Sequence, residues 1–252
     1  GDTDPFRPSP ERPVRCRARA MGHDTQFEPH EHPWGQLAYC AKGLLRVTVT
    51  DPLPDRPVAT ETTTIVPSSR AVWIPPGARH AVSMLETSQL YTLYIDSSVV
   101  AQAWRRSRVL VVSPLLRELV LGMDLPQHVD NADRQRAIAT LVLAEMAHAP
   151  RQSLGVPMPD PLHGDRRLRS LCEAVMNEPA RHATLAGWAA SSGASERTLA
   201  RLFRDELGTG FQRWRQQVIL THALPMLAQG TPVSQVAAAS GYASDSAFSA
   251  MF

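Results

Sequence analysis

Apolar and polar positions alternate strictly in RVTVT, Arg46 to Thr50, the period of two expected of a half-buried strand. AVWIPPGARHAV, Ala71 to Val82, reads as a strand, a Pro-Pro-Gly turn and a second strand. LYTLYID, Leu90 to Asp96, is a further strand. Prolines at 52, 54, 57 and 67 punctuate the connections. Short strands at this spacing predict a small sandwich or barrel over residues 1–100. From about Val99 the period changes. Leu115, Leu116, Leu119 and Val120 recur at helical spacing, as do Ile138, Leu141, Val142, Leu143 and Met146, which predicts two amphipathic helices within 101–150. Residues 151–164 are rich in Pro and Gly without a period and read as a flexible linker. From Asp165 onward the pattern is helical throughout. The expected fold class is α+β with two domains: a β-barrel followed by a helical segment, then an all-α domain over 165–252.

The all-α part has internal structure. In LAGWAASSGASERTLARLFRDELG, Leu185 to Gly208, a short Ala-rich helix turns Leu185, Trp188 and Ala189 inward. Gly193 permits a tight turn and Ser195 can cap the next helix. That helix buries Leu199, Leu202 and Phe203 and presents Arg197, Thr198, Arg201 and Arg204 on its other face. An arginine fork can bond O6 and N7 of guanine together, which suits a helix entering the major groove. Val233 to Phe252 repeats the plan, with Val236 and Ala237 inward, Gly241 in the turn, Ser244 capping, and Phe248 and Phe252 packing. Two helix-turn-helix units on one long helix place two readers roughly 34 Å apart, one DNA turn.

S-x-x-x-L-x-R-x-F-x-x-x-x-G, Ser195 to Gly208, and A-x-x-x-G-Y-x-S-x-S-x-F-S-x-x-F, Ala237 to Phe252, resemble the DNA-binding domain of the AraC/XylS family of transcriptional regulators. The resemblance places Arg197, Ala200 and Arg201 at base-facing positions of the first recognition helix. It places Asp245, Ser246, Ser249 and Ala250 at those of the second. The DNA-contacting candidates are thus Ser195, Arg197, Thr198, Ala200, Arg201, Arg204, Ser244, Asp245, Ser246 and Ser249, with double-stranded promoter DNA as partner. Three departures stand out. Ala250 replaces the usual arginine, Pro225 falls inside the connecting helix where it is expected to kink it, and the chain stops before the family's closing G-x-S-P-x-x-Y-R segment. That last departure reads as a truncated or disordered end, as Gly1 in place of Met reads as a trimmed start.

The stretch PHEHPWGQLAYCAKG, Pro29 to Gly43, holds the remaining chemistry. Residues two apart on a strand share a face, so His30 and His32 project together. Gln36 follows a Pro-Trp-Gly turn, and PPGARH returns His80 from the next hairpin. Together these resemble the two cupin motifs, H-x-H with a following carboxylate and glycine, and P-x-G-x-x-H. The second matches throughout. In the first, Gln36 stands where a glutamate is usual, with Gly43 in the expected place. The first hundred residues therefore resemble the cupin-type sensor domain of many AraC-family proteins. Three imidazoles and an amide oxygen can bind one divalent transition metal, Zn, Ni, Fe or Cu. The same histidines can instead line an organic effector pocket or serve the scaffold. Trp34, Tyr39, Trp73, Met84 and Tyr94 are the aromatic and apolar candidates for an effector pocket, with core packing as the alternative.

Composition adds limits. Hydrophobic content of 43% and charged content of 20% fit a globular chain. The net charge of +2 is too small to name a partner, so any nucleic-acid surface must be local. Cys16, Cys40 and Cys172 are too scattered for a disulfide framework or a zinc ribbon. No apolar run approaches the roughly 18 residues needed to span a membrane, and no signal peptide opens the chain; a cytoplasmic location is expected. The leading expectation is a non-enzymatic regulator that senses a metal ion or small molecule, with the helices of 101–150 relaying or dimerising. A cupin dioxygenase or isomerase fused to a DNA-binding module is one alternative, although no general base is placed by the sequence. A constitutive repressor with a cupin dimer scaffold is the other.

Overall fold

The computed structural model describes residues 5–51, 60–123, 131–152 and 155–251. The roles expected of prolines 52, 54 and 57 and of Phe252 lie outside them. The chain divides into two compact units, Gly1–Pro52 with Ile65–Ser153, and Leu53–Thr64 with Leu154–Phe252.

The first unit is β-rich and cupin-like. Its strands are β1 (Val14–Met21), β2 (Gln26–His30), β3 (Gly35–Lys42), β4 (Leu45–Asp51), β5 (Thr60–Val66, shared with the second unit), β6 (Arg70–Ile74), β7 (Arg79–Met84), β8 (Ser88–Ile95), β9 (Arg108–Val111) and β10 (Arg151–Gln152). One antiparallel sheet has the order β1-β8-β3-β6-β9-β10. A second sheet places β7 between β4 and β2.

Registers show how strand alternation sorts the side chains. Across the first sheet, Cys16, Leu93 and Leu37 stand in one row with Trp73 beside them. This face packs on α1 (Pro114–Met123) and α2 (Ala132–His148), burying Leu116, Val120, Ile138 and Val142 with Leu37, Trp73 and Leu93. Each such fully buried aliphatic side chain contributes about 1.5–3 kcal/mol. Ser113 locks the pair of helices together: its hydroxyl accepts from the Leu116 amide at 3.0 Å and donates to Glu145 Oε2 at 2.9 Å. Gly35 is required by close approach, since a Cβ there would sit 2.1 Å from the Trp73 ring.

The other face of the same sheet carries the odd-numbered arginines of β1. Arg15, Tyr94, Gln36 and Ile74 form one row, and Arg17, Thr92, Ala38 and Val72 the next. On the second sheet, His30, His80 and Val49 align, and so do Phe27, Val82 and Val47.

The second unit pairs β11 (Val156–Met158) antiparallel with β5, with Val156 opposite Thr63 and Met158 opposite Glu61. Six helices follow: α3 (Arg166–Asn177), α4 (Leu185–Ser192), α5 (Glu196–Leu207), α6 (Phe211–Ala228), α7 (Val233–Ala239) and α8 (Asp245–Ser249). α6 joins two cores. Trp214 and Val218 pack with Leu171, Trp188, Leu199 and Phe203, while Ile219 and Ala223 pack with Val236 and Phe248. The helix continues past Pro225 to Ala228, so a residue that cannot donate to the carbonyl four positions back does not end it. The stretch 151–164, read as a linker, instead carries β10 and β11. Val156 and Met158 are buried in the helical core, and Trp214 Nε1 donates to the Pro157 carbonyl at 2.7 Å. Strands of two and three residues are too short for any periodicity to reveal. Among the described residues no helix is long and apolar enough to cross a membrane.

Candidate metal centre and nucleic-acid interface

The two histidine motifs meet because β2 and β7 are neighbours. β2 shifts register between Phe27 and His30, which sets His30 directly opposite His80. The Gly77 amide donates to the His32 carbonyl at 2.9 Å, tying the Pro-Pro-Gly turn to the chain after β2. The ring centroids of His30 and His80 are 4.4 Å apart, and those of His32 and His80 5.0 Å. One nitrogen of each ring lies within 4.8 Å of one nitrogen of each of the others.

Backbone contacts fix which nitrogens are free. Nδ1 of His30 faces the Glu28 carbonyl at 2.8 Å, that of His32 the Trp34 carbonyl at 2.8 Å, and that of His80 the Ala78 carbonyl at 2.9 Å. A carbonyl only accepts, so each Nδ1 carries a proton, and in the neutral ring the lone pair is then on Nε2. This carbonyl support is the outer-shell arrangement that metal-ligating histidines require. His80 Nε2 is buried without any hydrogen-bond partner. Burial, with the neighbouring rings of His30 and His32 adding to it, holds the His80 imidazole down at about 4, so it is neutral at neutral pH. Gln36 is only 5% exposed, and its Oε1 lies 2.9 Å from His32 Nε2. Two acceptors at that distance call for a cation between them or for the Gln36 amide turned to present its NH2. The four residues therefore fit a divalent transition ion: neutral nitrogen and oxygen donors, pre-oriented, with an orphaned lone pair at the centre.

Beside this cluster lies a cavity of about 200 Å³. Its polar lining is Arg17, Arg19, His30, Gln36, Thr92 and Tyr94, and Phe27, Val82 and Leu90 supply apolar wall. Of the aromatic candidates, Tyr94 lines this cavity. Trp34 stacks on His32, centroids 4.9 Å apart and planes 9° apart. Tyr39 and Trp73 are corrected from pocket to core. Both occupy positions of β3 and β6 that face α1 and α2, and Trp73 Nε1 donates to the Trp104 carbonyl at 2.8 Å. Met84 is buried opposite Leu45 and does not line the cavity. The sequence reading passed over Arg17 and Arg19, although RCRAR alternates arginine with small residues as a two-faced strand does.

In the second unit, α5 has the geometry of a reader. Gly193 takes the left-handed conformation, φ 68°, that ends α4 and turns the chain into α5. Arg197, Arg201 and Arg204 are exposed on one face, opposite the buried Leu199 and Phe203. None of the three pairs with a carboxylate among the described residues. Ser195 and Thr198 engage each other: the Ser195 hydroxyl accepts from the Thr198 amide at 3.2 Å and lies 2.9 Å from Thr198 Oγ1. Ala200 is half-buried against the core. In the second helix-turn-helix, Ser244 accepts from the Ala247 amide at 3.1 Å and caps α8. Asp245, Ser246, Ser249 and Ala250 are exposed there. Residues 216–252 contain no arginine or lysine, so the cationic surface of the tandem sits on its first unit.

The chain matches the model of the AraC-like ligand binding domain over residues 12–155 and that of a helix-turn-helix domain over residues 188–252. It is 33% identical over 233 residues to the HTH-type transcriptional regulator NimR of Escherichia coli (strain K12), spanning 92% of this chain and 80% of NimR. It is also 33% identical over 97 residues to the HTH-type transcriptional regulator RipA of Corynebacterium glutamicum, spanning 38% of this chain and 29% of RipA. Among solved structures, ToxT from Vibrio cholerae O395 aligns over 95% of this chain and 92% of its own, with 12% identity and a TM-score of 0.35.

Proposed function

The chain belongs to the AraC family of DNA-binding transcriptional regulators, carrying an AraC-like ligand-binding domain ahead of its helix-turn-helix region, and from this premise we propose that it senses its signal through a divalent transition metal held by His30, His32, His80 and Gln36. The observation that carries the reading is the set of three carbonyl-anchored imidazoles whose ligand nitrogens lie within 4.8 Å of one another, with Nε2 of His80 buried and unpartnered. When bound, such an ion supplies Lewis acidity and a coordination position for a ligand in the adjoining cavity. The chain's own residues orient the imidazoles, hold His80 neutral and shape the cavity. The protein acts as a regulator of transcription. No described carboxylate or further histidine lines the cavity as a general base.

At the DNA, Arg197 and Arg201 read base edges in the major groove while Arg204 holds phosphate. The second helix-turn-helix contributes hydroxyl and backbone amide contacts. The exposed Leu115 and Leu141 of α1 and α2 offer a face for a second copy of the chain. The protein works in the cytoplasm, where bacterial DNA is. A signal shifts the regulator only so far as it binds two conformations or assembly states with different affinity.

Metal content is the deciding measurement. The protein is purified without a nickel column or chelator and analysed by elemental mass spectrometry, beside a His30→Ala/His80→Ala variant. About one equivalent of a single metal in the wild type, lost in the variant, is expected. Absence of metal from the wild type, together with no uptake of added Zn²⁺ or Ni²⁺, would refute the reading.

A further inference from the structure

The cavity beside the histidines carries an electrostatic imbalance that a metal alone would worsen. Arg17 and Arg19 stand two residues apart on the same face of β1, opposite Thr92 and Leu90 of β8, and both line the cavity. The guanidinium of Arg19 lies 5.4 Å from the centroid of the Phe27 ring, and that of Arg17 lies 5.2 Å from the Phe6 ring. These stacks hold the two groups without neutralising them. Neither arginine pairs with a carboxylate among the described residues, and no described aspartate or glutamate lines the cavity. Where a glutamate would supply charge to the metal site, Gln36 supplies none. A divalent ion would thus meet four neutral donors and two nearby cations, with water partly excluded and repulsion correspondingly strengthened.

We propose that this cavity binds a small organic carboxylate, which Arg17 and Arg19 grip and whose binding is coupled to that of the metal. The chemistry selects the class. An arginine fork matches a planar carboxylate with two parallel hydrogen bonds. Gln36 and Thr92 offer polar atoms for a second functional group. The volume, about 200 Å³ against the roughly 300–1,000 Å³ of drug-sized sites, limits the ligand to a few carbons. The inference rests on the reading of this cavity as the effector site, and its coupling rests on the metal reading. The arginine–carboxylate contact stands independently of both metal and coupling.

Isothermal titration of oxalate, malonate and pyruvate into the full chain tests it, with and without one added equivalent of Zn²⁺. Oxamide, the neutral isostere of oxalate, and inorganic phosphate are the controls. At least one carboxylate is expected to bind, with oxamide at least tenfold weaker. Arg17→Gln and Arg19→Gln are each expected to weaken it tenfold or more at unchanged melting temperature and without loss of metal. Arg17→Lys, which keeps the charge, should retain more affinity than Arg17→Gln. By linkage, the carboxylate tightens Zn²⁺ by the same factor as Zn²⁺ tightens the carboxylate. Binding of no carboxylate, equal binding of oxamide, indifference to both glutamine variants, or preference for phosphate over every carboxylate would each overturn the proposal. Loss of the metal reading looks different: carboxylate binding that depends on the arginines in a protein that takes up no metal.

Discussion

Arg201→Ala is the sharpest probe of the proposed DNA-reading face. Arg201 is exposed on α5, makes no ion pair with a described residue, and lies opposite Leu199 and Phe203, both 0% exposed. Truncating it leaves the core intact, so stability should change by no more than about 0.5 kcal/mol. DNA affinity should fall by roughly 1–3 kcal/mol if the side chain reads a guanine, about 5- to 150-fold. The fall should be confined to duplexes that carry that guanine. The assay begins with selection of a binding sequence from a random duplex library. Fluorescence anisotropy of wild type and variant then follows, on the selected site, on single-base changes and at several salt concentrations. A phosphate contact behaves differently: affinity drops alike on every sequence, and the slope of log K against log salt shrinks by about 0.9. That pattern would refute base reading by Arg201. Unchanged affinity on all duplexes would refute the assignment of α5 as the reader. Ser249→Ala on α8 should cost much less, since no cation accompanies it between residue 216 and residue 252.

Two further outcomes follow from local geometry. Gly35→Ala should destabilise the first unit by about 1–3 kcal/mol in a urea titration, because the new methyl overlaps the buried Trp73 ring and that ring is anchored by its bond to the Trp104 carbonyl; a change within 0.5 kcal/mol would show that Trp73 repacks freely. The side-chain bond from Arg167, helped by the Arg167 and Leu168 amides, lowers the Asp165 carboxyl to about 2. A lowered folded-state value means its stabilising charge is fully present above the ordinary value near 4 and is lost as pH falls through about 2. The advantage of wild type over Asp165→Asn, about 0.3–1 kcal/mol at the N-terminus of α3, should therefore shrink as pH falls from about 4 and vanish below about 2 in paired unfolding curves, and an advantage undiminished below about pH 2 would refute the charge argument.

What was legible in the sequence depended on whether physics acts at a fixed spacing. The helix-turn-helix units were readable because a turn glycine, a capping serine and buried residues at helical steps must recur in order, and Gly193, Ser195, Leu199 and Phe203 do so. The histidines were readable because two motifs announce them, yet their convergence needed the pairing of β2 with β7, which no local pattern encodes. The direction of a side chain was legible only once parity was fixed. Tyr39 and Trp73 passed for pocket residues because an aromatic in a strand looks the same from either face. Gln36 and Tyr39, three apart on β3, in fact point to opposite faces.

The same parity explains why the arginines of β1 escaped notice and why they matter. In a strand of a soluble sheet, alternating arginine ordinarily marks the solvent face, so RCRAR reads as a surface edge. The register reverses that reading. Cys16 packs toward α1 and α2, which forces Arg15, Arg17 and Arg19 to the side where Gln36, Thr92 and Tyr94 also point. Charge turned inward must find a counter-charge or remain solvated. No described carboxylate serves Arg17 or Arg19, and the residue that would have been acidic in the metal set is Gln36. The substitution that weakens the site for a bare cation and the arginines that favour an anion thus act in the same direction. A cupin with a glutamate can hold a metal by itself. On the proposed reading the negative charge has moved from the protein to the ligand, so that the metal site would be electrically complete only when the signal is present.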